Sequence, residues 1–242
     1  AFQTAYLKCH YPSEFMAALL TSVLDNTDKV IEYSGECARL GIKVLPPDVN
    51  ISNGGFTADN GKIRFGLNAV KNVGRNLIER VVEERKEKPY SSLYDFCKRM
   101  HGTELNRRAV ECLIKAGAFD SMGVNRHSLV EAVDGIIKSV ESDSRRNLEG
   151  QLDLFSVMSG ESQTADTDSY EIKPFPEYSH TELLQQEKEV SGLYLSGHPL
   201  DAYREQSVRF ASNSIKELTG EDAHKLDGNH VRIVCTIVKN RM

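Results

Sequence analysis

Lys71-Asn72-Val73-Gly74-Arg75 gathers two cations, an asparagine and a glycine into five positions. Glycine lets backbone N–H groups come close to a ligand, and asparagine tolerates left-handed φ better than most residues. A helix that begins after such a turn offers unpaired N–H groups and a positive dipole end to an anion. The chemistry this suits is a helix-hairpin-helix grip on a nucleic-acid phosphate, which reads the backbone and carries no sequence information. Leu113-Ile114-Lys115-Ala116-Gly117-Ala118-Phe119-Asp120 repeats the pattern. There a helix lined by Leu105, Ala109, Val110 and Leu113 stops at Gly117. Another begins at Asn125, with Arg126 and His127 in its first turn. Either hairpin alone reads equally as a glycine-capped helix joint; two basic ones in succession could straddle the strands of a duplex. The candidate DNA contacts are therefore Lys71, Asn72, Gly74, Arg75, Arg107, Arg108, Lys115, Gly117, Asn125 and Arg126.

A second kind of site is Gln151-Leu152-Asp153-Leu154-Phe155. Between residues 141 and 190, twelve acidic side chains face four basic ones, with many Ser, Thr and Gly. Such a tract buries too little apolar surface to offset its ordering entropy, so Leu154 and Phe155 need a reason to be there. A short motif of this kind docks as an extended peptide with its side chains in a partner's pockets. It resembles the pentapeptide by which bacterial replication and repair proteins bind the DNA sliding clamp. A strand folding back on the chain's own core is the competing reading.

The elements that must position these sites read as mainly helical. Phe15, Ala18, Leu19 and Val23 give one apolar face after a cap at Ser13. Val30, Ile31, Cys37 and Leu40 line a second helix that starts near Asp25 or Thr27 and stops at Gly41. Lys43-Val44-Leu45 leads, extended, into Pro46-Pro47. Asn60-Gly61 suits a type I′ turn between strands at 56–58 and 62–65. Helices follow from 66 to about 140, broken at Gly74, Pro89, Gly102, Gly117 and Gly123, and another lies at about 180–190. Hydrophobic content of 40% and charged content of 27% describe an ordinary soluble chain with no apolar run long enough to span a bilayer. The net charge of −5 hides a basic stretch over 62–115, which includes Arg64, Arg80, Arg85, Lys98 and Arg99. Five scattered cysteines suggest neither zinc nor disulfides, and hence a reducing cytoplasm. No nucleotide-binding, zinc-protease or paired-carboxylate motif is present, and His127 and His198 read as structural.

Taken together the segments resemble the α subunit of bacterial DNA polymerase III, the C-family replicative polymerase. The resemblance rests on Gln3-Thr4-Ala5-Tyr6-Leu7-Lys8, His10-Tyr11-Pro12, Glu14-Phe15-Met16-Ala17-Ala18, Val44-Leu45-Pro46-Pro47-Asp48-Val49-Asn50, Asn106-Arg107-Arg108, Lys115 to Asp120 and Gly197-His198-Pro199-Leu200-Asp201. It implies the end of a fingers domain at 1–45, an extended and β-hairpin connection at 46–66 and a tandem helix-hairpin-helix domain at 67–140. An acidic linker with the clamp-binding pentapeptide would follow at 141–180, a helical connector at 181–229, and the first strand of a truncated OB-fold at 230–242. It further implies binding of duplex DNA behind the active site, tethering to the sliding clamp, and contact with other replisome subunits through the full-length chain, with no membrane partner. The chain reads as cut at both ends. The palm aspartates and their Mg2+ chemistry would lie upstream, leaving this part inactive alone and without a cofactor of its own. Lys71-Asn72 stands where many such hairpins carry Pro-Gly. Two other classes compete: a free-standing helix-hairpin-helix repair enzyme, for which Asp120 is the one catalytic candidate at a suggestive spacing, and a clamp-binding adaptor.

Overall fold

The computed structural model describes residues 2–148, 170–213, 217–218, 224 and 227–235. It divides into two units, Ala1–Ser196 and Gly197–Met242. In the first unit, α1 (Phe2–His10) and α2 (Pro12–Ser22) precede α3 (Thr27–Arg39). Pro12 sits in the first turn of α2, where its missing N–H costs nothing, and Tyr11 rather than Ser13 is the flanking residue. The buried face of α2 is Met16, Ala17 and Leu20, with Phe15, Leu19 and Val23 only partly buried and Ala18 exposed. The expected stripe is thus turned by about one residue, because α2 packs on both α3 and the sheet. Asn26 caps α3 by accepting from Lys29 N at 3.1 Å, and Gly41 ends it at φ +75°. Val30 and Cys37 are buried, but Ile31 and Leu40 face out.

Strands β1 (Val44–Leu45), β2 (Thr57–Asp59) and β3 (Lys62–Arg64) form a sheet in the order β1-β3-β2. The β2–β3 hairpin pairs Ala58 with Ile63 and turns through Asn60 (φ 49°) and Gly61 (φ 75°), the two left-handed residues a type I′ turn requires. Val44 and Leu45, expected as an extended lead into Pro46-Pro47, pair in parallel with Ile63 and Arg64 and so join the sheet.

Four helices follow: α4 (Arg75–Glu84), α5 (Leu93–Arg99), α6 (Arg107–Lys115) and α7 (Arg126–Leu148). Their inward faces share one core in which Phe96 meets Tyr90 and Phe119 edge-on at 5.0 and 5.1 Å. This bears out a mainly helical chain with a small sheet. Both ends of the stretch assigned to the acidic linker are folded. Helix α7 continues to Leu148, and residues 170–178 lie against it, with Tyr170 stacked on Tyr94 at 6.4 Å and Ile172 on the core. A Cβ at Gly135 would collide with the Tyr170 hydroxyl, so that glycine makes room for the strap. The pentapeptide Gln151–Phe155 lies outside the described residues. Helix α8 (His180–Ser191) opens with a capping box between Ser179 and Glu182 and closes at Gly192, φ +79°.

The second unit has a 3₁₀ turn at Asp201–Tyr203 and α9 (Arg204–Phe210). Ser212 exchanges two hydrogen bonds with the Arg232 backbone, at 2.9 Å each. Residues 230–235 form no strand, unlike the OB-fold start expected there, and 236–242 lie outside the described residues.

Candidate nucleic-acid interface

The first hairpin is entered from a single 3₁₀ turn, Leu67–Ala69, rather than from an α-helix. Its left-handed residue is Asn72, at φ 61°, while Gly74 is extended at φ −72°, ψ 144°. Gly74 is therefore not needed for its φ. A Cβ there would lie 3.2 Å from Glu104 Oε2, so the bare glycine makes room for that carboxylate beside the start of α4. No side chain caps the first N–H groups of that helix, and the Glu104 carboxylate beside it accepts from Asn76 Nδ2 at 3.2 Å. Lys71 is held against the end of α8, its backbone N donating to Val190 O at 2.8 Å and its Nζ to Glu189 O at 2.7 Å. Arg75 donates to both Asp25 oxygens, at 2.5 and 2.7 Å, in an exposed pair. A pair of that kind is worth little in water and exchanges readily for a phosphate.

The second hairpin follows the expected path. Asn106 caps α6 by accepting from Ala109 N at 2.9 Å, Gly117 turns left-handed at φ +85°, and Asn125 caps α7 by accepting from Ser128 N at 2.8 Å. Its interior differs from expectation. Arg126 does not face solvent: its side chain is 6% exposed and forms ion pairs with Asp120 at 2.6 Å and Glu187 at 3.0 Å. Burial works against the Arg126 charge, but the two carboxylates outweigh it and hold the group charged. Glu187 is wholly buried and also accepts from Leu195 N and Ser196 N, at 2.8 and 2.9 Å. Arg126 is thus a structural cation, removed from the candidate phosphate contacts because its donors are spent internally. Gly117 is also structural, since a Cβ there would run into the Arg126 guanidinium and the Asp120 carboxylate. The N–H groups of Arg126 and His127 donate to Glu177, at 3.0 and 3.2 Å. The His127 ring lies 4.4 Å from Tyr178, with Nδ1 2.7 Å from Pro176 O, a packing role as expected.

Other cations of the basic stretch are also consumed inside the fold. Arg85 donates to Val49 O, Ile51 O, Ser52 O and Asn53 Oδ1. Arg99 lies over the Tyr90 ring at 4.4 Å, and Arg64 pairs with Asp59. Arg107 differs: 59% exposed, it pairs at the surface with Glu111 and Asp134, at 2.7 and 3.1 Å, and like Arg75 can exchange them for a phosphate. What the structure does bring together is the tip of the first hairpin and α6. Asn72 Nδ2 meets Cys112 Sγ at 3.5 Å. Arg108 and Lys115 lie one turn to either side of Cys112 on that helix. Lys71, Asn72, Arg108 and Lys115 therefore belong to one neighbourhood, with the uncapped start of α4 beside it.

Residues 41–129 match the family model described as the helix-hairpin-helix motif. Over 224 residues, 91% of the chain, it is 43% identical to DNA polymerase III subunit alpha of Saccharopolyspora erythraea. It is 42% identical to the subunit of Borreliella burgdorferi over 89% of the chain, and 39% identical to that of Escherichia coli K12 over 87%. The chain belongs to the DNA polymerase III α-subunit family. It spans 19%, 19% and 18% of the lengths of these three relatives.

Within this family setting, three residues matter that the sequence reading passed over. Glu177 and Glu187 sit in an acidic tract whose composition hides them, and Asp25 is far in sequence from the arginine it pairs with. A usable signal for Glu187 was its place on the apolar face of α8 between Leu184 and Val190. Among the described residues, no group of three or more His, Cys, Asp or Glu is placed to hold a metal. No helix among them is long and apolar enough to cross a membrane.

Proposed function

We propose that this chain holds duplex DNA by its phosphate backbone, without sequence preference, behind the active site of a cytoplasmic replicative polymerase. In this reading Gln151–Phe155 tethers that polymerase to the sliding clamp, and other replisome subunits are met through the rest of the polypeptide. The observation that carries the DNA-binding part is the uncapped start of α4 beside the left-handed Asn72, next to Lys71, Arg108 and Lys115. The clamp part rests on the type and order of the five residues alone. Nucleotidyl transfer, with its Mg2+, is assigned to parts of the relatives outside the span matched here. The repair-enzyme alternative is less well supported, because Asp120 already holds Arg126 through both carboxylate oxygens.

Substituting Lys71→Ala and Arg75→Ala together should weaken binding alike on unrelated duplexes. It should also flatten the dependence of log K on log salt by about 1.8, at roughly 0.9 per lost phosphate contact. Fluorescence anisotropy across a salt series measures both. An unchanged slope, or a parent that prefers one duplex sequence strongly, would refute the reading.

A further inference from the structure

The starts of the two hairpin helices are not equivalent. At α4 no side chain caps the first turn, and the nearby Glu104 carboxylate accepts from the Asn76 side chain rather than from a backbone N–H. At α7 the Glu177 carboxylate accepts from Arg126 N at 3.0 Å through Oε2 and from His127 N at 3.2 Å through Oε1. A third donor, Tyr178 N, reaches Oε1 at 2.9 Å. Two oxygens of one anion on two successive N–H groups at a helix start is the arrangement a backbone phosphate would adopt there. Burial raises the Glu177 pKa somewhat, but the three N–H donors and the Arg126 charge more than offset this and hold the carboxyl below its ordinary value. It is an anion at neutral pH.

The strap that delivers this carboxylate is anchored independently of it. Phe175 N donates to Ser128 Oγ at 2.8 Å, and Asn125 Nδ2 donates to Phe175 O at 2.8 Å. Tyr170 stacks on Tyr94, and Ile172 packs on the core. Glu177 itself is exposed. Its side chain can leave the helix start while the strap stays in place.

We propose that Glu177 is a built-in competitor of duplex phosphate at the second hairpin, occupying the start of α7 until a DNA phosphate displaces it. The proposal rests on the reading of this domain as a duplex-binding one and adds a regulation to it. With Glu177 seated, the first hairpin supplies the grip alone. With Glu177 displaced, both hairpins engage and the footprint gains one phosphate.

The test uses the 242-residue chain with Glu177→Gln, which keeps the shape and one acceptor but removes the charge. Duplex affinity at about 100 mM salt should rise several-fold, and the salt slope should steepen by about 0.9, one phosphate contact. Glu171→Gln, an exposed carboxylate earlier on the same strap, controls for net charge and should leave the slope unchanged. Amide NMR gives a second readout: duplex should shift the Arg126 and His127 N–H signals of the parent. An equal effect of the two glutamine variants, no effect of Glu177→Gln, or unmoved amides would each overturn the proposal. If Lys71→Ala/Arg75→Ala still weakens binding in that case, the duplex reading stands without the competitor. If it does not, both fall.

Discussion

Arg126→Gln separates a phosphate ligand from a structural cation. Removing the guanidinium breaks pairs with Asp120 at 2.6 Å and Glu187 at 3.0 Å. The two carboxylates pay unequally: the Asp120 side chain is 47% exposed and rehydrates, whereas that of Glu187 is 0% exposed and does not. Stranding a buried charge typically costs about 3–5 kcal/mol. Glu187 keeps two backbone N–H donors, from Leu195 and Ser196, which places the loss near the lower end of that range. At roughly 2–4 °C per kcal/mol for a chain of this size, the melting midpoint should fall by about 6–12 °C. Adding Glu187→Gln to the variant should recover part of the loss, because the stranded charge is then gone. Circular dichroism melts measure this, and anisotropy on the folded variant should find the salt slope of duplex binding unchanged. A midpoint within about 2 °C of the parent together with a slope flattened by about 0.9 would refute the reasoning and return Arg126 to the DNA contacts.

Asn72→Val places a β-branched side chain at φ 61° and should cost about 1–2 kcal/mol in urea denaturation, while Asn72→Gly should cost little of that; equal midpoints for Val and Asn would contradict a left-handed turn there. A peptide spanning 147–158 should bind purified sliding clamp, and Leu154→Ala/Phe155→Ala should remove most of the affinity, at ~2 kcal/mol or more for each anchor. In the same titration Gln151→Ala should cost about 1 kcal/mol and Asp153→Ala least, since its side chain alternates away from Leu154. No detectable binding at high micromolar concentration would favour a fold-back strand.

Features set by local chemistry were legible in the sequence. The Asn60-Gly61 turn, the Gly41 and Gly117 helix ends and the Asn125 cap each depend on a few adjacent residues. The first hairpin was legible as a hairpin, but the left-handed position fell on Asn72 and not Gly74, because a glycine permits that conformation without demanding it. Features set by distant partners were not legible. Arg126 looks like any basic residue at a helix start until Glu187, far along the chain, is seen to lie beneath it. The strap at 170–178 was hidden by averaging: Tyr170, Ile172 and Phe175 supply enough apolar surface to dock, but they are diluted in an acidic window. The parallel pairing of β1 with β3 likewise depends on a non-local partner that two residues before a Pro-Pro pair do not announce.

The internal use of so many cations bears on how strong the proposed grip can be. Arg64, Arg85, Arg99 and Arg126 are largely withdrawn from solvent on carboxylates or carbonyls of the chain itself. Lys71 on Glu189 O, Arg75 on Asp25 and Arg107 on Glu111 and Asp134 would have to exchange exposed partners for a phosphate, and with Arg108 and Lys115 they are what remains for a duplex on a chain of net charge −5. A few phosphate contacts give weak binding that falls steeply with salt and costs little to shift along a duplex. A grip that slides is what a moving polymerase needs from such a domain, and persistence must then come from elsewhere. A second attachment through the pentapeptide would supply it by raising the effective concentration of the domain near DNA, with no stronger contact to any one phosphate. On this reasoning, disabling the pentapeptide lowers processivity on clamp-loaded DNA without changing the affinity of the isolated chain for a bare duplex.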